Sequence, residues 1–402
     1  MINPFNRESG EPAGGGGGEA ILPLGGYIMD GKILGLNNAE AASHARVGEA
    51  ESTTASDLKT EIVNPLGDSQ WDSEVAQHPD CTVFHTSAWT RVLTSTYRHQ
   101  PVYLRCSSQG RLRALVPLMD VQSVVTGRRG ICLPFSDFCS PLLFSDTPCR
   151  VIADVLLQMA RERRWKYVET RSGGTFSPDC GVSVSFWSHK LDLCPGIDAL
   201  FAGLKSSVRR ALRKAERSDL RVDLECSQKS MDIFYHLQAE TRRRHGLPPQ
   251  PLKFFRRIYQ EVLKPGHGFM ITARNNHGRP VCAMVYFRYR KSALYKFGAS
   301  DKAYQEHRPN NLVMWAGIQR LVNEGCEVLH FGRSSLANEG LRRFKLSWGS
   351  EEGVLQYFRM NPHTGQSIPM RDRTTGGHTS LFANLPLALN RLAGAMIYPH
   401  LD

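Results

Sequence analysis

The chain has 402 residues, 41% of them hydrophobic, which is enough apolar material for about two domains of ordinary size. Its 50 Lys and Arg residues outnumber 38 Asp and Glu residues, so the net charge of +12 favours anionic over cationic partners. No apolar run approaches the ~20 residues of a membrane-spanning helix, and because Met1–Glu19 lacks basic and apolar regions we expect no secretory signal.

The first predicted segment, residues 1–60, is a disordered tail. Gly14–Gly18 is a flexible run, and Ala39–Thr60 is rich in Ala, Ser, Thr and Glu. Such segments bury too little apolar surface to offset the entropy of ordering. The more apolar stretch Ile21–Leu36 has no predicted place in the fold, and regular structure is expected to begin near Ile62.

Beyond this tail, the same order of elements is predicted twice: a hairpin, a strand, a helix and a final strand. The first set is Val102–Cys106, Leu112–Val121, Gly130–Phe135, Arg150–Arg163 and Lys166–Ser172. The second set is Phe269–Ala273, Pro280–Tyr289, Ala293–Gly298, Asn311–Asn323 and Glu327–Ser334. This repetition predicts an α/β fold of two similar lobes. A single mixed α/β domain without duplication is the alternative.

The connection between the two sets is predicted to be one amphipathic helix, Phe201–Arg217, with basic residues on its polar faces. Residues 200–264 carry 15 basic and 7 acidic side chains, so two thirds of the net charge of +12 is local. Lys205, Arg209, Arg210 and Arg213 are therefore candidates for binding phosphate, which the guanidinium group recognises through paired hydrogen bonds. A solvated charged face is the alternative.

The C-terminal residues contain a second amphipathic pattern. Leu385, Leu389, Leu392 and Met396 recur at helical spacing, and Pro386 suits the first turn of a helix. The apolar stripe is expected either to cap the preceding lobe or to lie on the cytoplasmic face of a membrane.

These patterns divide the chain into five parts. They are a disordered tail (1–60), a first lobe (61–198), a basic helical linker (199–228), a second lobe (229–360) and a C-terminal tail with a short amphipathic helix (361–402). The ten cysteines form no C-x-x-C pair and lie beside no paired histidines. This usage predicts reduced thiols in a cytoplasmic protein without a metal site.

Several short stretches follow one another in the order of a known family. They are Phe84-His85-Thr86-Ser87-Ala88-Trp89, Leu133-Pro134-Phe135 with Cys139-Ser140-Pro141, Tyr295-Lys296-Phe297-Gly298-Ala299-Ser300, Phe331-Gly332-Arg333-Ser334, and Phe344-Lys345 with Trp348-Gly349. With the repeated elements, they resemble the FemAB-like aminoacyltransferases, whose two lobes have the acetyltransferase fold known as GNAT and include BioF-like acetyltransferase domains. The segment Leu385–Leu392 resembles a subgroup that accompanies exosortase and exopolysaccharide loci.

The resemblance implies a bacterial cytoplasmic transferase that moves an aminoacyl or acyl group onto an amine of a peptidoglycan or exopolysaccharide precursor. The amine attacks the donor carbonyl directly, with aminoacyl-tRNA or acyl-CoA as donor and no tightly bound cofactor. The implied partners are an anionic nucleotide-linked or lipid-linked precursor and tRNA. An acyl-CoA-dependent N-acetyltransferase is one alternative. A non-catalytic anion-binding or nucleic-acid-binding protein is another, which the basic run Arg242-Arg243-Arg244-His245 favours.

The resemblance also implies catalytic residues in the second lobe. Lys345, beside Phe344 in an aromatic-Lys motif, is predicted to stabilise the oxyanion that forms when the amine attacks the carbonyl. Asp301 and Glu339 are candidates to orient or deprotonate the amine.

Two further segments are predicted to bind substrate. In GNAT enzymes the turn before the main helix carries small residues and holds the pyrophosphate of coenzyme A. Here Arg308 matches its first position and Asn310 lies in the turn, but Asn311 and Val313 replace the small residues, which disfavours acetyl-CoA. The strand end with Arg333 and Ser334 is the second segment.

Overall fold

The computed structural model describes residues 58–144, 149–172, 180–372 and 379–401. The strands are β1 Lys59–Val63, β2 Gln100–Pro101, β3 Tyr103–Ser108, β4 Arg111–Val116, β5 Met119–Ser123, β6 Gly127–Ile131, β7 Leu142–Leu143, β8 Val168–Ser172, β9 Val184–Asp192, β10 Arg221–Asp223, β11 Gly268–Arg274, β12 Pro280–Tyr289, β13 Ser292–Ser300, β14 Val328–Ser335 and β15 Glu351–Met360. The α-helices are α1 Trp71–Val75, α2 Ser87–Tyr97, α3 Cys149–Glu162, α4 Ile197–Gly203, α5 Ser206–Glu216, α6 Gln228–Arg244, α7 Leu252–Ile258, α8 Pro309–Asn323, α9 Glu339–Leu346, α10 Thr379–Asn384 and α11 Leu387–Ile397.

Most of the predicted disordered tail lies outside the described residues. Strand β1 begins at Lys59, slightly before the expected start at Ile62, because it pairs antiparallel with β3. Among the described helices, none is long and apolar enough to cross a membrane.

Each half of the chain contains a pair of parallel strands that are paired over only two or three residues. In the second half, β13 and β14 pair from Ser292 opposite Val328 to Leu294 opposite His330, and beyond these residues the two strands splay apart. In the first half, the last two residues of β6, Gly130 and Ile131, pair with the first two of β8, Val168 and Glu169. The duplicated α/β fold is therefore confirmed, with a hairpin, strand, helix and parallel strand in both lobes.

The two lobes share one sheet because they exchange their last strands. Within the described residues, the larger sheet has eleven strands in the order β10-β11-β12-β13-β14-β9-β15-β8-β6-β5-β2, while β1, β3, β4 and β7 form a smaller one. Strand β9, from the first lobe, lies between β14 and β15 of the second lobe. Strand β15 in turn pairs with β8 of the first lobe. The sequence pattern did not predict this exchange.

The predicted linker helix Phe201–Arg217 is wrong as a single element, because the chain forms α4 and α5 with a break at Leu204 and Lys205. Both residues are extended, with ψ of 142° and 145°. The break buries the Leu204 side chain, and the backbone N–H of Lys205 donates to the carbonyl of Ser347 at 3.3 Å. These contacts replace the intrahelical bonds that a continuous helix would make.

The predicted strand Gly130–Phe135 ends at Ile131. Leu133 and Phe135 follow with φ of 42° and 63°, a left-handed conformation that side chains with a Cβ rarely adopt. Buried cations stabilise this turn. Lys296 donates to the carbonyl of Phe135 at 2.7 Å, and Arg171 donates to the carbonyl of Ser136 at 3.0 Å.

Lys296 also forms an ion pair with Asp137, which joins β13 of the second lobe to the first-lobe loop at 2.5 Å. Both side chains are almost entirely buried. Burial opposes ionisation of both groups, but the charge of Lys296, its hydrogen bond and the nearby Arg333 hold the pKa of Asp137 below its ordinary value. Burial lowers the pKa of Lys296, and Asp137 opposes that shift. We interpret the pair as ionised.

Breaking this buried pair should cost much more than breaking an exposed one. Lys296→Met or Asp137→Asn leaves one buried charge unpaired, and each is expected to lower the free energy of unfolding by about 3–5 kcal/mol. The matched control is Glu327→Gln, whose pair with Lys291 leaves the two side chains 50% and 72% exposed and should cost about 1 kcal/mol or less. Urea unfolding measures both. If the buried-pair variants and the control lost equally little free energy of unfolding, the structural role of the buried pair would be contradicted.

Candidate functional site

Lys345 lies on α9 and points into the protein. The helix begins after Asn338, whose side chain accepts a hydrogen bond from the backbone N–H of Leu341 at 3.0 Å. Leu341 and Lys345 are one helical turn apart and are both buried. The Nζ atom of Lys345 donates to the carbonyls of Gly332 at 2.9 Å and Arg333 at 3.3 Å. The structure therefore places this amine on backbone oxygens of β14.

The two carbonyls are available because β14 contains a bulge. Its register against β9 shifts between His330 and Arg333, and Gly332 has φ of 67°. A glycine in this conformation is a common way to build a bulge, because no Cβ opposes the turn. The bulge occurs just after β14 separates from β13. Lys345 thus anchors α9 to the splayed part of the strand.

Burial lowers the pKa of Lys345 from 10.5 to about 7, although the carboxylate of Asp137 opposes the shift. The amine is therefore partly neutral at physiological pH. An amine of this kind exchanges protons readily near neutral pH.

His189, which is buried, and Glu352, whose side chain is 19% exposed, form a second pair near Lys345. They lie directly opposite each other on the neighbouring strands β9 and β15, with Nε2 and Oε2 3.2 Å apart. Burial and the charge of Lys345 lower the pKa of His189 to about 4, against the opposing effect of Glu352. The neutral ring donates through Nε2–H to the carboxylate, which makes Nδ1 an acceptor. That atom is buried without a hydrogen-bond partner.

Arg342 fixes the carboxylate of this pair. It donates to the two oxygens of Glu352 at 2.6 and 2.8 Å, and its guanidinium lies 4.6 Å from the ring centroid of Trp187. Sequence analysis missed His189 and Glu352. They are far apart in the chain, and only the strand exchange brings them together.

Arg333 and Asp137 extend the site towards the first lobe. The Arg333 guanidinium stacks 4.5 Å from the ring centroid of Phe186 and 5.0 Å from that of Tyr357. The Tyr357 hydroxyl donates to the backbone carbonyl of Asp137 at 2.6 Å. Of the predicted residues, Lys345 and Arg333 are therefore brought together, and Asp137 and Lys296 are additional members that the site prediction missed.

The other predicted catalytic residues lie elsewhere. Asp301 caps the 3₁₀ turn Lys302–His307 and pairs with Arg279 at 2.7 Å. Glu339 is exposed at the start of α9 and pairs with Arg342 at 3.3 Å. Phe344 is partly buried, with its ring 6.2 Å from that of Trp348.

Ser334 lies further along β14, where its hydroxyl is buried without a hydrogen-bond partner. No contact connects it to Asp301, Glu339 or Phe344 within the described part of the chain.

The turn before α8 differs from an open phosphate-binding loop. Arg308 has φ of 58° and precedes Pro309, which has no backbone N–H, and the backbone N–H of Asn311 is already bonded to the Arg308 carbonyl at 3.0 Å. The side chain of Asn310 is held between Cys282 at 3.1 Å and Ser300 at 3.4 Å. Few donors remain for a pyrophosphate.

The basic residues of α5 occupy its outer faces. Val208 and Leu212 pack into the core beside α8, whereas Lys205, Arg210 and Arg213 are exposed. Arg209 is partly buried and donates to the carbonyl of Ala202 at 2.7 Å. In the part of the chain that the structure describes, none of these four basic side chains has an acidic partner.

A family model described as an acetyltransferase (GNAT) domain matches residues 202–352. This part of the chain is therefore similar to a GNAT acetyltransferase domain. The matched region contains α5, α8, the splayed strands β13 and β14, and Lys345, whereas His189, Asp137 and Tyr357 of the site lie outside it. The match favours an acyltransferase over a non-catalytic anion-binding or nucleic-acid-binding protein.

Solved structures extend the likeness in fold to both lobes of this chain. The crystal structure of FemX has a TM-score of 0.58 at 12% identity and covers 74% of this chain and 96% of its own. L-PGS from Bacillus licheniformis has a TM-score of 0.50 at 12% identity, with coverage of 82% and 96%. At these identities the likeness shows the fold, and the FemAB-like fold is confirmed. A comparison with curated protein sequences found no match.

No three His, Cys, Asp or Glu side chains of the described residues are grouped in a way that could hold a metal ion. The groups that the site offers are therefore the buried amine of Lys345, the imidazole of His189 and the surrounding guanidinium groups.

The lowered pKa of Lys345 predicts a pH-dependent stability. Between pH 7 and about 10 the unfolded chain keeps this proton and the folded chain has lost it, so this group makes the folded state more stable as pH rises. Relative to Lys345→Met, the wild-type free energy of unfolding should rise by up to about 1.4 kcal/mol per pH unit. His189 does not titrate in this window.

Urea titrations at pH 7, 8 and 9 measure this difference. Arg343→Met is the control, because Arg343 is an exposed basic residue on the same helix and its loss should leave the slope unchanged. A wild-type slope equal to that of Lys345→Met would show that the buried amine has an ordinary pKa.

Proposed function

We propose that this protein transfers an aminoacyl or acyl group onto an amine of an anionic cell-envelope precursor in the cytoplasm. The observation that carries the proposal is the splayed pair β13 and β14 inside the matched domain. Beyond Leu294 and His330 the two strands do not pair with each other, and we propose that an extended acyl donor binds between them through hydrogen bonds to their backbone.

The two lobes differ at this feature, which favours a single reaction centre in the second lobe. In the first lobe, Cys139 pairs with Arg171 of β8, and its backbone N–H donates to the Arg171 carbonyl at 2.8 Å. The loop after β6 thus closes the first splay with its own backbone. In the second lobe, the described pairing of β13 with β14 ends at Leu294 and His330.

In the proposed reaction, the amine nitrogen attacks the carbonyl carbon of the donor ester or thioester. An oxyanion forms, the C–O or C–S bond breaks, and the nitrogen loses a proton while the leaving alcohol or thiol gains one. The reaction needs no covalent enzyme intermediate. The enzyme contributes by placing the two substrates together and by stabilising the oxyanion.

We propose Lys345 as the residue on which this stabilisation depends. Its Nζ holds the carbonyls of Gly332 and Arg333, so it sets the path of β14 beside the donor. Phe344 packs next to it, as the aromatic-Lys motif implies. Asp301 and Glu339 remain candidates to orient or deprotonate the attacking amine, although each already has an arginine partner. We propose that the binding site of the acyl donor is lined by Arg308, Asn310 and Ser334.

We also propose that α5 binds the phosphate of the acceptor, since its exposed arginines have no acidic partners within the described residues. The ring of Phe201, on α4 just before α5, lies 5.5 Å from that of Trp315 on α8, so the segment leading into α5 packs against the helix that connects β13 and β14. A nucleotide-linked or lipid-linked precursor would supply the phosphate that these arginines recognise. Aminoacyl-tRNA is the proposed donor because the turn before α8 offers few groups to coenzyme A.

The donor proposal predicts weak binding of acetyl-CoA. With Pro309 at the helix start and Asn310 bonded to Cys282 and Ser300, we expect a dissociation constant of about 1 mM or weaker in a calorimetric titration. Mass spectrometry of amine-bearing envelope precursors, incubated with a mixture of aminoacyl-tRNAs, should detect the acylated product. Lys345→Met should reduce its rate and leave precursor binding unchanged. Micromolar binding of acetyl-CoA would instead support the acyl-CoA-dependent alternative.

The acceptor proposal predicts that binding depends on α5 and on salt. Reversing Arg209, Arg210 and Arg213 to Glu should weaken binding of a nucleotide-linked precursor at least tenfold, and added salt should weaken wild-type binding.

The matched control reverses three exposed lysines outside α5 and changes the net charge equally. These are Lys229, Lys253 and Lys264. Equal losses in both triple variants would mean that only net charge matters and would contradict a phosphate site on α5.

A further inference from the structure

The C-terminal helix α11 faces solvent with its apolar side. Leu389, Leu392 and Met396 lie along one face and are 51%, 56% and 66% exposed. The amphipathic pattern alone would place this face against the protein. Leu381 on the preceding helix α10 is also 59% exposed. The stripe therefore does not cap the lobe.

The opposite face fixes this orientation. Asn390 is fully buried and donates to the carbonyl of Phe382 at 2.7 Å. Gly394 packs so closely that a Cβ there would lie 1.9 Å from the carbonyl oxygen of Pro249. The helix cannot rotate to bury its leucines without losing both contacts.

A second apolar element is attached to the end of α11. The turn between β5 and β6 presents Val124 and Val125, which are 96% and 72% exposed. The hydroxyl of Ser123 lies 2.9 Å from Nδ1 of His400, and Arg129 donates to the His400 carbonyl at 2.8 Å. Ser123 also accepts from the backbone N–H groups of Val125 and Thr126, which makes the turn well defined.

Basic side chains flank this turn. Lys166 is exposed, and its Nζ donates to the carbonyl of Thr126 at 3.1 Å. Arg161 and Arg164, at the end of α3 and just after it, precede Lys166 closely in the chain and are also exposed, and Arg161 donates to the carbonyl of Pro362 at 2.7 Å. Exposed aliphatic side chains beside Lys and Arg are the composition by which proteins bind the surface of an anionic bilayer.

We propose that the β5–β6 turn and the outer face of α11 together dock this protein on an anionic lipid surface. The valines and leucines enter the interface between headgroups and acyl chains, and Lys166 with its neighbouring arginines contacts the headgroups. This docking is peripheral. It does not rest on the transfer reaction, and its test needs no acyl donor or acceptor.

The test is sedimentation of the full-length chain with vesicles of phosphatidylglycerol and phosphatidylcholine in equal parts. Wild type should bind them. Val124→Ser with Val125→Ser should lower the partition coefficient roughly tenfold or more, because apolar burial drives the binding. Leu389→Ser with Leu392→Ser should do the same, and it provides an independent variant if one pair fails to fold.

The control is Ile62→Ser with Leu224→Ser, which removes comparable exposed aliphatic groups elsewhere, 49% and 52% exposed. It should bind as wild type does. A separate variant, Arg161→Gln with Arg164→Gln and Lys166→Gln, should abolish the preference over pure phosphatidylcholine vesicles.

Three results would overturn the proposal: no sedimentation of wild type with the anionic vesicles, equal losses in the control pair, or a change of molecular mass in the valine or leucine variants. The last result, measured by light scattering, would assign the surface to contact between copies of this chain.

Discussion

Lys296 and Asp137 form a buried ion pair between the two lobes, and much of the local structure depends on it. The pair is costly to bury, so it persists only because the same lysine also donates to the carbonyl of Phe135. That bond helps to hold Phe135 in a left-handed conformation. The first-lobe loop is thereby kept against β13, at the point where β13 leaves β14.

The exchange of strands, like this ion pair, joins the two lobes. Because β9 lies between β14 and β15, neither lobe has a complete sheet without the other. The aromatic core is shared as well, since the ring of Trp89 in α2 lies 6.0 Å from that of Phe254 and 5.7 Å from that of Phe287. The lobes are therefore repeated in topology but form one folding unit, and a site at their junction has rigid walls on both sides.

Sequence patterns predicted the elements of this fold well because each has a strong local signal, such as the apolar periodicity of α3 and α8 or the turn residues of the β11–β12 hairpin. They failed where distant contacts override local preference. Leu204 and Lys205 break a helical pattern through contacts with the core and with Ser347. His189 and Glu352 could not be paired from the sequence, since their register follows from the exchanged strands.

The two lobes share a fold but differ in what surrounds their splayed strands. The first lobe closes its splay through Cys139 and Arg171, and the same loop then supplies Asp137 to the second lobe. The second lobe keeps its splay and gains a buried lysine, Lys345, on the bulged strand beside it. The loop after β6 in the first lobe thus packs against β13 of the second lobe. The charged and titratable groups around Lys345 therefore come from both lobes, His189 and Asp137 from the first and Arg333 from the second.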